Sequence, residues 1–275
     1  MVILIERDRE ALSRAAADVV SSAMTRSPSL RLGLAAGTTP VGLYQELVHR
    51  HRAGHLDCSR TVVFGLDEYL GLPPEHVASF HSFFHRHLLD QANFDPRHVH
   101  LMNGAPTGDA ASSCDGYEQT IRGAGGIDLQ ILGIGLNGHL GFNEPGSSLA
   151  ARTRPVLLSD ETRAALKTGA GYHEDIPDSA LTLGLGTIQE ARTLLLMASG
   201  AGKAAPLAKA LEGPVTASLP ASVLQCHPNV LVICDESAAA MLARRDYYRR
   251  ASRFGQRGGL GQPGAGGVEE PGWGG

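Results

Sequence analysis

A chain of 275 residues with 43% hydrophobic and 19% charged side chains can bury a large core, as one α/β domain or two small ones. A formal net charge of −4 and a pI near 6.3 exclude a strongly basic polyanion-binding surface, so no nucleic-acid partner is expected. The four cysteines (Cys58, Cys114, Cys226, Cys234) form no CxxC, which argues against a zinc site or disulfide framework and fits a reducing compartment.

The opening MVILIERDRE is too short an apolar run for a signal segment, and no apolar run of about 18 residues follows, so a cytoplasmic protein with no membrane partner is expected. Residues 2–5 read as a strand. Residues 9–26 read as an amphipathic helix, with Leu12, Ala16, Val19, Val20 and Ala23 at helical spacing. A second strand at 30–34 runs into Ala35-Ala36-Gly37-Thr38-Thr39-Pro40, ahead of a helix over 41–52. Strand, small-residue loop and helix is the arrangement in which helix N-terminal amides hold an anion. Gly37 lets backbone approach closely, and Thr38 and Thr39 offer hydroxyl donors. An ordinary βα turn fits the same residues.

Residues 61–66 read as the next strand, ending in Asp67-Glu68-Tyr69. Adjacent carboxylates repel, which can raise one pKa into the range useful for acid–base chemistry; a capping Asp67 beside a solvated Glu68 is the alternative. A helix over 79–91 carries His81, His85 and His87. The pairs His81/His85 and His51/His55 have helical metal-ligand spacing but no supporting carboxylate or cysteine, so no metal is expected. Residues 109–122 read as another helix.

The chain is organised around residues 127–149, IDLQILGIGLNGHLGFNEPGSSL. A run of Ile and Leu closed by glycines is the pattern of a buried parallel strand entering a loop. Asn137, Gly138, His139, Asn143 and Glu144 follow it at once, and such loops are where open α/β sheets bind ligands. An imidazole and a carboxylate five residues apart there make a candidate proton-handling pair.

Residues 150–179 have weak periodicity beyond a turn or two of helix over 161–167, and read as a small cap or lid. Strands are expected at 193–198 and 230–234. Between them Ser199-Gly200-Ala201-Gly202-Lys203 opens a helix reaching Leu211, and a lysine at the positive end of a helix dipole points to an anion beside it. Residues 236–254 read as the last helix. The Gly- and Pro-rich 255–275 cannot bury enough surface to order itself and is expected to be a disordered tail. The expectation is one α/β domain over 1–254, Rossmann-like, with a mostly parallel sheet flanked by helices and a lid at about 150–179.

Four pieces, LGLAAGTTP, GLDEYLGLP, LGIGLNGHLGFNEPGSSLAARTR and the turn at 200–203, together resemble the glucosamine-6-phosphate deaminase family, in family order over roughly residues 1–250. The resemblance implies conversion of glucosamine 6-phosphate and water to fructose 6-phosphate and ammonia. It implies Asp67 as the base at C2 and C1, His139 as the ring-opening group, Glu144 as its orienting carboxylate, and Asn137 at a position where some members carry Asp. It puts the phosphate among Gly37, Thr38, Thr39 and Lys203, with Glu68 and Gly138 in the substrate-binding set. No metal or redox cofactor is implied, and a homo-oligomer is. Where many deaminases have Arg-Phe-Phe, this chain reads Ala164-Ala165-Leu166-Lys167-Thr168-Gly169; Lys167 is the substitute cation, without the bidentate fork of arginine. The LKTG run is similar to the galactosamine-6-phosphate branch. 6-Phosphogluconolactonase and a non-catalytic sugar-phosphate sensor are the competing readings; Tyr69 and Phe142-Asn143-Glu144-Pro145 point away from the former.

Overall fold

Along residues 1–169 and 177–257, which the computed structural model describes, strands and helices alternate. The first half runs β1 (Val2–Glu6), α1 (Arg9–Arg26), β2 (Arg31–Leu34), α2 (Val41–Arg52), β3 (Val62–Gly65), β4 (Asp67–Tyr69), α3 (Phe80–His87), β5 (Val99–His100), α4 (Ala110–Gly123) and β6 (Leu129–Gly133). The second half runs β7 (Arg154–Leu157), α5 (Asp160–Gly169), β8 (Ser179–Thr182), α6 (Leu185–Gln189), β9 (Thr193–Ala198), α7 (Ala204–Glu212), β10 (Val230–Asp235) and α8 (Arg245–Arg257).

Seven strands pair in the order β1-β10-β9-β6-β2-β3-β5, all parallel. Their apolar runs follow from burial on both faces, since Leu32, Ile131, Leu132, Leu195, Leu196, Val232 and Ile233 are wholly buried. From β2 the sheet grows outward through β3 to β5, and from β6 it grows the other way through β9 to β10. The β2–β6 junction is therefore the topological switch point, where loops from the two strands diverge and leave a crevice. A mostly parallel sheet flanked by helices is the fold expected from the sequence.

Asp67-Glu68-Tyr69 does more than end β3. It leaves the parallel sheet as β4 and pairs antiparallel with β8, which in turn pairs with β7 in a second, three-stranded sheet. The cap expected at 150–179 is thus tied in part to β4; residues 170–176 lie outside the described residues. The last helix starts later than expected, at Arg245, because the Glu212 carboxylate takes the N–H groups of Ala243 and Arg244 at 2.8 and 2.9 Å and sets the chain's entry there. It also continues through Gly255, Gln256 and Arg257, a correction to the expected start of the tail; residues 258–275 lie outside the described residues. No helix among the described residues is long and apolar enough to cross a membrane.

Candidate active site

A cavity of about 630 Å³ opens beyond the carboxyl ends of β2 and β6, within the size range of small-molecule sites. It is lined by Gly37, Thr38 and Thr39 after β2, Asp67 on β4, His139 after β6 and Lys203 ahead of α7. Glu68, Asn137, Gly138 and Glu144 do not line it. The Lys167 side chain lies outside the described residues.

Asp67 and Glu68 diverge because consecutive strand residues point to opposite faces. Asp67 is 7% exposed, faces the cavity, and its Oδ1 is buried without a hydrogen-bond partner. Burial, and then the neighbouring Glu68 charge, push its carboxyl well above the usual range. Glu68 turns the other way and accepts the backbone N–H groups of Tyr69 and Phe80 at 2.8 Å and His81 at 2.7 Å. It anchors the first turn of α3. Burial raises its pKa to about 7 against the lowering effect of those three amides.

His139 sits in the loop after β6, its ring laid against Gly135, where a Cβ would come within 2.3 Å of Cε1. The loop is closed by Gly135 N–H donating to the His139 carbonyl at 2.9 Å. Burial, and to a smaller extent the Lys203 charge, lower the imidazole to about 4 despite the opposing pull of Glu144, so the ring is neutral near pH 7. Glu144 Oε2 is 3.9 Å from His139 Nδ1 and accepts from Asn137 Nδ2 at 2.7 Å. Burial raises the Glu144 pKa, but bonds from Thr162 and Asn137 and the His139 charge outweigh it and hold the carboxyl below its ordinary value. Asn137 also accepts from the His139 N–H at 3.2 Å, so it braces both partners.

Gly138, expected to bind substrate, packs elsewhere. Its φ is +85°, a Cβ would fall 2.3 Å from Leu219 Cδ1, and its carbonyl accepts from Ala221 N–H. The residue must be glycine for the fold of this loop.

Gly37 has φ +113°, Pro40 at the start of α2 offers no side-chain cap, and Gly37, Thr38, Thr39 and Val41 line the cavity together with Lys203. Tyr44 from α2 donates to the Ala35 carbonyl at 2.7 Å, and Arg9 from α1 donates to the Thr38 carbonyl, fixing the loop. Lys203 has no carboxylate partner among the described residues, and burial lowers its pKa. Its turn is held by Asp235, which accepts from Ser199 Oγ at 2.5 Å and from Gly200 N–H at 3.0 Å. One cavity thus gathers a lysine and two threonines, a buried carboxyl and a neutral imidazole.

Sequence reasoning missed Thr162 and Ser159, which reach Glu144 from the start of α5, and Arg86, His87, Phe80 and Phe83, by which α3 lines the cavity. Of these, the segment after Thr162 stands out in the sequence by the arginine and aromatic pair it lacks. His81 and His85 stack at 4.6 Å, with His85 Nδ1 on Asp90 at 2.8 Å.

Residues 7–233 match the family described as glucosamine-6-phosphate isomerases/6-phosphogluconolactonase. The chain belongs to this family. It is 45% identical over 249 residues to a glucosamine-6-phosphate deaminase of Arthrobacter sp. (strain FB24), covering 90% of this chain and 95% of that one. To the deaminase of Thermoanaerobacter pseudethanolicus it is 40% identical over 246 residues, 90% and 97% of the two chains. Among solved structures, a monomeric glucosamine-6-phosphate deaminase superposes with a TM-score of 0.84 at 35% identity over 88% of this chain and all of that one. A 6-phosphogluconolactonase from Trypanosoma brucei, at 21% identity and TM-score 0.71 over 88% and 98% of the two chains, shares the fold.

Proposed function

We propose that this family member is a glucosamine-6-phosphate deaminase, converting glucosamine 6-phosphate and water to fructose 6-phosphate and ammonia. The observation that carries the reading is one cavity lined by an unpartnered buried carboxylate, a neutral imidazole and a helix-terminus cradle with a lysine. The similar proteins named as deaminases support it.

The phosphate is held by the amides and hydroxyls around Gly37, Thr38 and Thr39 and by Lys203. His139, neutral and braced by Glu144 and Asn137, takes the anomeric hydroxyl proton and returns it to the ring oxygen as the ring opens. Asp67 removes the C2 proton and delivers it to C1, and a proton passes from the amino nitrogen to O1, so that the amino aldehyde becomes a C2 imine bearing a C1 hydroxyl. A raised carboxyl pKa makes a stronger base, and the substrate's ammonium entering beside it favours its ionised form. Water adds to the imine carbon, the C–N bond breaks and ammonia leaves. Glu68 and Gly138 hold the site's elements in place.

Ammonia and ketose formation should be measured with glucosamine, galactosamine and N-acetylglucosamine 6-phosphates and with 6-phosphogluconolactone. Stoichiometric ammonia and fructose 6-phosphate from the first is expected. Lactone hydrolysis without ammonia release, or sugar-phosphate binding without turnover, would overturn the reading. A cytoplasmic, self-associating enzyme is part of the same proposal. Light scattering tests the second point, and a monomer, as in the similar solved deaminase, removes it.

A further inference from the structure

A hydroxyl from a different element stands between the imidazole and its carboxylate. Thr162, in the first turn of α5, is 3% exposed, lines the cavity and places Oγ1 3.5 Å from His139 Nδ1. The same side chain hydrogen-bonds to Glu144, and Ser159 Oγ donates to Glu144 Oε1 at 3.2 Å. The direct His139 Nδ1 to Glu144 Oε2 separation is 3.9 Å, beyond hydrogen-bond reach.

We propose that Thr162 is a positioning residue that relays Glu144 to His139: its O–H donates to the carboxylate, its oxygen accepts from Nδ1–H, and Nε2 is left bare as the proton-accepting atom. This rests on the deaminase reading, in which His139 carries the ring-opening proton. The direction of the relay follows from the donor inventory. An ionised carboxylate only accepts, so the hydroxyl's single proton goes to Glu144 and its lone pairs remain for a ring N–H.

The charged groups around the ring and its cavity come from three places. Two of them act on it directly, Glu144 on its own loop and Lys203 ahead of α7; the third, Asp67 on β4, lines the same cavity. Asn137 Oδ1 is taken by the His139 backbone N–H. Thr162 therefore supplies the acceptor for Nδ1, and the tautomer of the ring depends on α5 being docked.

The test compares Thr162→Val, which keeps the shape and removes the hydroxyl, with Thr162→Ser, which keeps it, and Thr162→Ala as a second hydroxyl-free variant. In the unliganded protein, ¹⁵N imidazole spectra, with the His139 signal assigned by its loss in His139→Gln, should show the Nδ1–H tautomer in wild type and Thr162→Ser. The Val and Ala variants should show a mixture or the Nε2–H form. With glucosamine 6-phosphate, kcat should fall about ten- to a hundredfold in the hydroxyl-free variants at nearly unchanged KM, with recovery in Thr162→Ser. An unchanged tautomer in Val and Ala, or a Ser variant as impaired as they are, overturns the relay. Absence of ammonia release by wild type would sink the deaminase reading instead, and the tautomer measurement would still decide the relay.

Discussion

Asp67 and Glu68 are adjacent carboxylates with opposite surroundings, and that contrast sets what each is free to do. Glu68 is saturated by three backbone amides at the start of α3, whereas Asp67 Oδ1 has no partner and faces the cavity. A carboxyl whose folded pKa is raised binds its proton more tightly in the folded than in the unfolded chain. Its contribution to stability is best below the unfolded value and declines as pH climbs from there to the folded value. Asp67→Asn removes that cost near neutral pH. The expected result is a Tm a few degrees above wild type at pH 7, a difference that vanishes below about pH 4, where both carboxyl forms are protonated. Turnover should be nearly abolished, with sugar-phosphate affinity within a few-fold, because in the proposed reaction Asp67 acts on the reacting carbon and not on the phosphate. A variant with normal turnover and unchanged Tm would mean that Asp67 is neither the base nor strained. The sequence showed that two carboxylates met at a strand end, but the face each takes depends on the turn into β4, which three residues cannot announce.

At the scale of elements, His139 owes its place to a glycine. The loop after β6 folds back so that the ring covers Gly135, and a methyl there would lie 2.3 Å from Cε1 and 2.4 Å from Nδ1. Gly135→Ala should displace the imidazole, costing about a hundredfold in kcat/KM, while circular dichroism and Tm stay near wild type because the loop is peripheral to the sheet. Full activity would show that the ring moves aside at no cost. Elements were legible where periodicity had room. The helices α1 and α2 fall where their apolar spacing puts them, since 18 and 12 residues sample several turns. The four-residue strands β7 and β8 did not stand out, being too short to show a period; β7 also carries Pro155 and an exposed Leu157. The start of α8 was hidden because the Glu212 carboxylate that sets it lies on α7.

For the molecule as a whole, the parallel sheet and the site at its carboxyl ends could be read from apolar runs and the loops that follow them. The strand order could not, and with it the convergence of α3, α5 and the Lys203 turn on one cavity. That order makes β2 and β6 neighbours, with Leu32 beside Leu129 and Gly33 beside Gln130. Gly33 is required there because the buried Gln130 amide lies over it: a Cβ would sit 2.0 Å from Oε1 and 2.8 Å from Nε2. Gln130 has nowhere to swing, being wholly buried with Nε2 on the Ile131 carbonyl at 2.8 Å. Gly33→Ala should therefore wedge apart the two strands whose loops carry Gly37, Thr38 and Thr39 on one side and His139 on the other. The cost is about 1–3 kcal/mol in chemical denaturation, together with a loss of activity that a merely destabilised but native site would not show. Gln130→Ala removes the obstructing amide and its unpartnered Oε1, so the double variant should be more stable than the sum of the singles by about 1 kcal/mol or more. Its activity should recover in parallel, since the strands can close again. Strict additivity would mean that the Gln130 amide is not what holds position 33 to glycine, and that the spacing of the two site loops is set elsewhere in the sheet.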